Sequence, residues 1–259
     1  VNRTLLSENK RILALMPHPD DIEILCGGTL IRLKELGYEI HYGMMTAGDK
    51  GSAVHTRQEI GDIRREEGRK AAEAIGAVSF HCLEFQDLSI TFDNDARQRV
   101  AAVLRQVDPF MVFTTPPADY MFDHEITSAL VRDACFNASV PNYETPGGES
   151  PASGVPYLYY SDAVEGHDLF GRSSLVSCIV DVSTTIDQKA HALMQHDSQR
   201  AWLQKQHGMD NYIESMKSWC AKRGEQAGFG YGEAFIQHLG HPHPQDNLLA
   251  ELLNAKLVS

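Results

Sequence analysis

Short apolar runs alternate with stretches of helical periodicity through the first half of the chain, the pattern that βαβ units make when they build a parallel sheet. "RILALMP" predicts a first strand and "GGTLIRLKELG" a helix closed by Gly37. "EIHYGMMT" reads as the second strand, and "TRQEIGDIRREEGRKAAEAIG" as a long helix stopped at Gly76, with Ile60, Ile63, Ala71 and Ile75 on one stripe. "AVSFHCLEF" predicts the third strand, a helix follows over about 92–107, and "FMVFTT" the fourth strand. The helix "DHEITSALVRDACF" then starts with Asp119 or Asp123 near its N-cap.

Residues 137–156 are rich in Pro, Gly and Ser and predict a long loop, either a lid or an insertion. Strand-like "YLYYSDA" and "SLVSCIVDV" come next, then helical patterns from about 185 to 222 and a tail containing "GHPHPQDN". The expected architecture is α/β: a Rossmann-like, mostly parallel sheet with helices on both faces. At 259 residues it forms one domain, with a core over about 11–200 and a helical extension over about 201–259.

Composition narrows the partners. A formal charge of −12 disfavours nucleic acid, whose binding rests on Lys and Arg neutralising phosphates. The mixed-sign "RREEGRK" is a solvated helix face. No segment approaches the roughly 18 uninterrupted apolar residues of a membrane helix, so no membrane insertion is expected. The N-terminal residues lack the small-residue cleavage pattern of a secretory signal. Five scattered Cys without CxxC spacing suit reduced thiols, and the expected location is cytoplasmic.

In open parallel sheets, ligands sit outside the carboxyl ends of the strands. Four polar clusters fall there: "HPDD", "TAGDKGS", "FQDLS" and "PPADYMFDH". His18 and Asp21, three positions apart on a turn, can chelate one divalent ion, and His124 is the best placed third donor. Such a set of nitrogen and oxygen ligands suits Zn²⁺, while Fe²⁺ or Co²⁺ would also accept it. Asp20, beside the ion but not on it, can take a proton from water that the ion has acidified. The bland alternative is that the two Asp cap a helix and His18 is an ordinary loop residue.

"MPHPDDIEILCGG" resembles the "AHPDD…GG" signature of the PIG-L (LmbE-like) zinc-dependent de-N-acetylases. "TAGDKGS", "RREEGRKAAEAIG", "FQDLS", "ADYMFDH" and "KAHALMQHDSQ" resemble that family's further segments in order and spacing, over roughly residues 11–200. The resemblance implies zinc on His18, Asp21 and His124, and a catalytic pair of Asp20 and Asp123 with Asp20 as general base. It puts Arg64 and Asp87 where relatives hold substrate hydroxyls. His167 and His196 are added as substrate contacts. The implied activity is removal of an N-acetyl or similar acyl group from an amino sugar or its conjugate, by a homo-oligomer. Gly27-Gly28 would let the helix start approach the site.

One departure stands out. Where the family usually reads His-Pro-Asp-His, this chain has Met121-Phe122-Asp123-His124. A thioether donates no proton, so the acid role at that first position is vacant. Tyr120, His167, His196 or Asp20 would have to supply it. The departure also keeps open a metal-dependent hydratase or lyase acting on an unsaturated carboxylic acid. Trp202, Met209, Met216 and Trp219 are expected in helix packing, the His241-Pro-His243 pair is read as tail, and Glu233 has no evident role.

Overall fold

A computed structural model describes residues 9–200 and 211–258. Eight strands form one sheet: β1 (Arg11–Met16), β2 (Glu39–Thr46), β3 (Ser79–Phe85), β4 (Met111–Thr114), β5 (Tyr157–Ser161), β6 (Cys178–Asp181), β7 (Gly232–Gln237) and β8 (Lys256–Leu257), in the order β3-β2-β1-β4-β5-β7-β6-β8. The first five are parallel, as the alternating pattern predicts, and the last three join antiparallel. Strand order reverses between β1 and β4, since the chain runs outward to β3 and then returns to the other side of β1. Such a switch point opens a crevice at the strands' carboxyl ends.

The helices are α1 (Asp21–Leu25), α2 (Gly27–Glu35), α3 (Arg57–Ile75), α4 (Asn94–Val107), α5 (Phe122–Asn137), α6 (Ile186–Leu193), α7 (Tyr212–Ala227) and α8 (Leu248–Leu253). Alternation along β1 divides the core. Ile12, Ala14 and Met16 face the side covered by α1, α2, α3, α6 and α8, whereas Leu13 and Leu15 face α4 and α5. Both faces are thus covered, as expected.

Helix α3 begins with a full capping box, Thr56 and Glu59 satisfying each other's backbone N–H groups, and ends at Gly76 in the left-handed conformation. Its inward stripe differs from the expected one. Ile63 is exposed, and Arg64, Glu67 and Gly68 join Ile60, Ala71 and Ile75 inside. The two charged residues are tolerated there because each reaches polar partners: Arg64 two loop carbonyls, and Glu67 the Ser198 hydroxyl at 2.6 Å.

The region after residue 200, expected to be helical, also supplies β7 and β8. "GEAFIQ" fills the gap between β5 and β6, and its Glu233 is buried. The Glu233 carboxylate accepts from Gly28 N at 2.8 Å and Thr29 N at 2.7 Å, and pairs with the buried Lys189 ammonium at 2.6 Å. It therefore satisfies orphan donors at the start of α2, where negative charge is favoured. This also corrects the reading of the glycine pair. A Cβ on Gly28 would lie 2.8 Å from Val182 and 3.1 Å from Glu233, so this glycine admits the residue after β6 and the Glu233 carboxylate of β7.

Residues 138–156 lead from α5 to the amino end of β5, at the edge of the sheet away from the crevice. Arg105 pins that loop through the carbonyls of Ala138, Val140 and Glu149, at the end of the sheet opposite the crevice, where it does not cover the site as a lid would. Met216 is buried and Trp219 half-buried, while Trp202 and Met209 lie outside the described residues.

Two histidines tie stability to pH. Burial, helped by His81, lowers the His41 imidazole to about 4, and burial lowers His243 to about 4 as well. Both sit below the value of about 6.5 that an unfolded chain would show. The neutral forms are native, so their stabilisation is complete above pH 6.5 and is lost as pH falls toward 4. The urea midpoint of His41→Gln, whose amide can still bond Ser79 Oγ, should therefore rise relative to the parent's as pH falls from 7 to 4.5. An identical slope in both proteins would contradict this.

Candidate metal centre

Strand β1 ends at Met16, and Pro17 to Asp20 form a turn that delivers His18 and Asp21 to the crevice. The turn is fixed at both ends: Thr46 N donates to Pro17 O at 2.9 Å, and His18 N donates to Asp21 Oδ2 at 2.8 Å. Helix α5, which follows β4 after the irregular segment 115–121, brings His124, which the sequence placed there as the third donor. The rings of His18 and His124 lie 5.3 Å apart. His18 Nδ1 is 3.3 Å from Asp21 Oδ2, and His124 Nε2 is 3.6 Å from Asp21 Oδ1. His18, Asp21 and His124 form one of two clusters with metal-ligand spacing among the described residues.

The second cluster is His18, Asp87 and Asp123. Its carboxylates are already engaged: Asp123 Oδ2 accepts from Leu88 N at 2.7 Å, Asp87 Oδ2 from Lys50 N at 3.3 Å, and both face His18 Nε2 at 3.3–3.4 Å. The first cluster has what a metal site needs. His124 Nδ1 is taken by Asp119 at 3.1 Å, and Nε2 is buried without a hydrogen-bond partner. A carboxylate on one imidazole nitrogen and an open position on the other is the arrangement that orients a metal-binding histidine. His18 has carboxylates at both nitrogens, Asp87 and Asp123 at Nε2 and the cluster's own Asp21 at Nδ1. The residues fit a divalent cation.

Charge supports the fit. Asp20, Asp21, Asp87, Asp119 and Asp123 are all buried around two imidazoles. Burial pushes His18 down, but Asp123, Asp21 and Asp87 together raise it well above its ordinary value. Burial pushes Asp21 up, and His124 and His18 hold it below the usual carboxylate range. A field that favours extra protons on imidazole favours a cation in the same place.

Asp20 stands apart. It occupies the N-cap position of α1 with φ of 94°, a conformation side chains rarely adopt, and its carboxylate makes no capping bond. Burial first, then repulsion from Asp21, raise it to about 6, against the pull of His196, Tyr212 and Arg64. It is thus a carboxylate at neutral pH with appreciable basicity, the property expected of a general base.

The remaining expected residues divide. Arg64 is buried and donates to Gly48 O at 3.1 Å, to Gly51 O at 3.0 Å and to Gln199, so it holds the loop after β2. A Cβ on Gly48 would come within 2.6 Å of that guanidinium, which explains the glycines of "TAGDKGS". Asp87 turns toward His18. His196 is buried, with Nε2 on Glu23 at 3.1 Å. His167 is exposed and lines a cavity of about 460 Å³ with Asp162, Trp219 and Arg223, which none of His18, Asp20, Asp21 and His124 lines. At the mouth, Met121 is half-buried at the N-cap of α5, Phe122 is exposed, and the exposed Tyr120 ring sits edge-on to His124 at 5.4 Å.

Three contributors escaped the sequence reading. Asp119 was noted only as a helix cap, whereas Tyr212 and Glu23 were not singled out. Glu23 had a signal: a carboxylate at an inward position of the otherwise apolar "IEIL". Tyr212 had none nearby, since it meets Asp20 from 192 positions away.

The model of the PIG-L family, described as GlcNAc-PI de-N-acetylase, matches residues 13–135. The uncharacterized deacetylase YaiS of Escherichia coli is 34% identical over 151 residues, covering 55% of this chain and 78% of that protein. The chain belongs to the PIG-L family. The N,N'-diacetylchitobiose deacetylase of Pyrococcus horikoshii superposes on it with a TM-score of 0.76 at 25% identity, over 94% of this chain and 90% of that one. A further relative is the 4-oxalmesaconate hydratase of Pseudomonas putida, 28% identical over 199 residues and 74% of each chain.

Orientation of His124 by Asp119 gives a test. Asp119→Asn should weaken zinc binding about 10- to 100-fold without unfolding the chain. His124→Ala should lose it far more severely, both read by competition with a chromophoric chelator. Unchanged affinity in Asp119→Asn would remove Asp119 from the site.

Proposed function

We propose that this PIG-L protein is a zinc-dependent deacetylase acting on an N-acetylated amino sugar or its conjugate. The observation that carries this reading is the cluster of half-buried His18 with buried Asp21 and His124, with the Nε2 of His124 unpartnered, set beside the buried Asp20. The names of the Pyrococcus and Escherichia relatives support deacetylation, and the nitrogen and oxygen donors suit zinc, with Fe²⁺ or Co²⁺ as substitutes.

His18, Asp21 and His124 would hold the ion, which when bound would supply Lewis acidity for the carbonyl and for water at neutral pH. Asp20 takes the proton of the attacking water and returns it to the leaving amine. Asp123 and Asp87 act through His18 by fixing its ring. Tyr120, exposed at the mouth and beside His124, is the hydrogen-bond donor to the carbonyl oxygen that Met121 cannot be. Arg64 and His196 support the loop and α1, and His167 serves a more distant part of the substrate. None of the described helices is long and apolar enough to cross a membrane. The five free thiols support a cytoplasmic location, and exposed apolar side chains such as Phe122, Phe170 and Leu175 support a homo-oligomer.

Metal-loaded protein should release acetate from a panel of N-acetylglucosamine conjugates, and Asp20→Ala should lower kcat/KM by about 10²–10⁴-fold while retaining metal. Chelation should abolish turnover and added zinc restore it. No acetate from any conjugate would contradict the reading.

A second reading rests on Met121 and the hydratase relative: water addition to an unsaturated carboxylic acid. Met121→His separates the two. Deacetylation should rise in this variant, because a donor is restored where the family carries one. Loss of absorbance from an unsaturated diacid, with no acetate formed and activity abolished by Met121→His, would favour the hydratase.

A further inference from the structure

We propose that Tyr212 is a positioning residue for the general base, aiming the Asp20 carboxylate at the attacking water; this rests on the deacetylase reading above. Asp20 is held in a left-handed backbone conformation and does not cap the helix it precedes. Torsion about the bond to a carboxylate is broad, so backbone placement alone leaves the direction of its oxygens undetermined. Among the described residues, the hydrogen bond to that carboxylate comes from Tyr212, whose phenol donates to Oδ2. With Oδ2 tied, Oδ1 is the oxygen left to face the reacting centre.

The phenol is itself fixed. Tyr212 is the first residue of α7, and its ring is buried with Ile186, Leu193 and Met216. The same stretch of chain reaches the site's surroundings at three further places: His196 on Glu23 of α1, Ser198 on Glu67 of α3, and Gln199 on Arg64. His196, Ser198, Gln199 and Tyr212 lie beyond position 135, where the family match ends. The C-terminal part of the chain therefore braces the turn that carries Asp20, and Tyr212 is the one member of the brace that touches the base.

Tyr212→Phe keeps the ring in its apolar cluster and removes only the donor. A hydrogen bond to a charged group of this kind corresponds to about 10- to 100-fold in rate. The expected result is a kcat lower by that factor, with KM and bound metal unchanged. Asp20→Ala/Tyr212→Phe should be no slower than Asp20→Ala, because the phenol acts only through the carboxylate. A downfield phenolic proton resonance should be present in the parent and absent from both single variants.

Parental kcat in Tyr212→Phe would overturn the proposal. So would a full additional loss in the double variant. If the parent releases no acetate, the deacetylase reading falls; the proton resonance, which needs no turnover, then decides the contact. Its loss in both single variants supports the contact, and its absence from the parent overturns it.

Discussion

Five buried aspartates crowd around two imidazoles at the switch between β1 and β4, and the local architecture follows from that concentration of charge. Burying a carboxylate without a counter-charge is costly, and hydrogen bonds relieve only part of the cost. The residues there answer in two ways. Asp119, Asp87 and Asp123 are bonded to ring nitrogens or loop N–H groups, which turns them into supports for histidine. Asp21 and the free nitrogen of His124 are left facing each other across a gap suited to a cation. The turn after β1, the loops after β2 and β3, and the start of α5 are the four segments that must meet for this to happen.

Buried polar contacts also join the two halves of the molecule. Glu233 on β7 closes the start of α2 and receives Lys189 from α6, so a strand far along the chain completes the helix that follows the metal turn. Removing either partner would strand a buried charge, a loss of about 3–5 kcal/mol. On the crevice side, the contacts of His196, Ser198, Gln199 and Tyr212 serve α1 and α3 in the same way. The family model matches residues 13–135, yet the turn that carries Asp20 is contacted by residues outside that segment.

Much of this was legible in the sequence, and for identifiable reasons. The βα alternation, the Gly76 stop and the "HPDD" turn are local features, and parallel strands place their carboxyl ends together whatever the details of packing. Ile63 misled because an apolar residue one step off the stripe competes with Arg64, whose burial depends on the Gly48 and Gly51 carbonyls. "GEAFIQ" did not read as a strand because its Gly and Glu suppress the apolar signal, and both are explained only by neighbours distant in sequence. Arg64, Asp87, His167 and His196 were expected at substrate; in the structure Arg64 bonds loop carbonyls, Asp87 faces His18, His196 bonds Glu23 and His167 lines a separate cavity.

Met121 marks where this chain departs from the pattern of its family, and it bears on the proton donor and not on the metal. The central claim is the division of labour between neighbouring aspartates, Asp21 on the ion and Asp20 beside it. The most direct test is a crystal structure of zinc-loaded protein with anomalous data collected across the zinc edge. The account predicts a single peak about 2.0–2.2 Å from ring nitrogens of His18 and His124 and from an Asp21 oxygen, with Asp20 outside bonding distance. A peak between Asp87 and Asp123, or one ligated by Asp20, would contradict it.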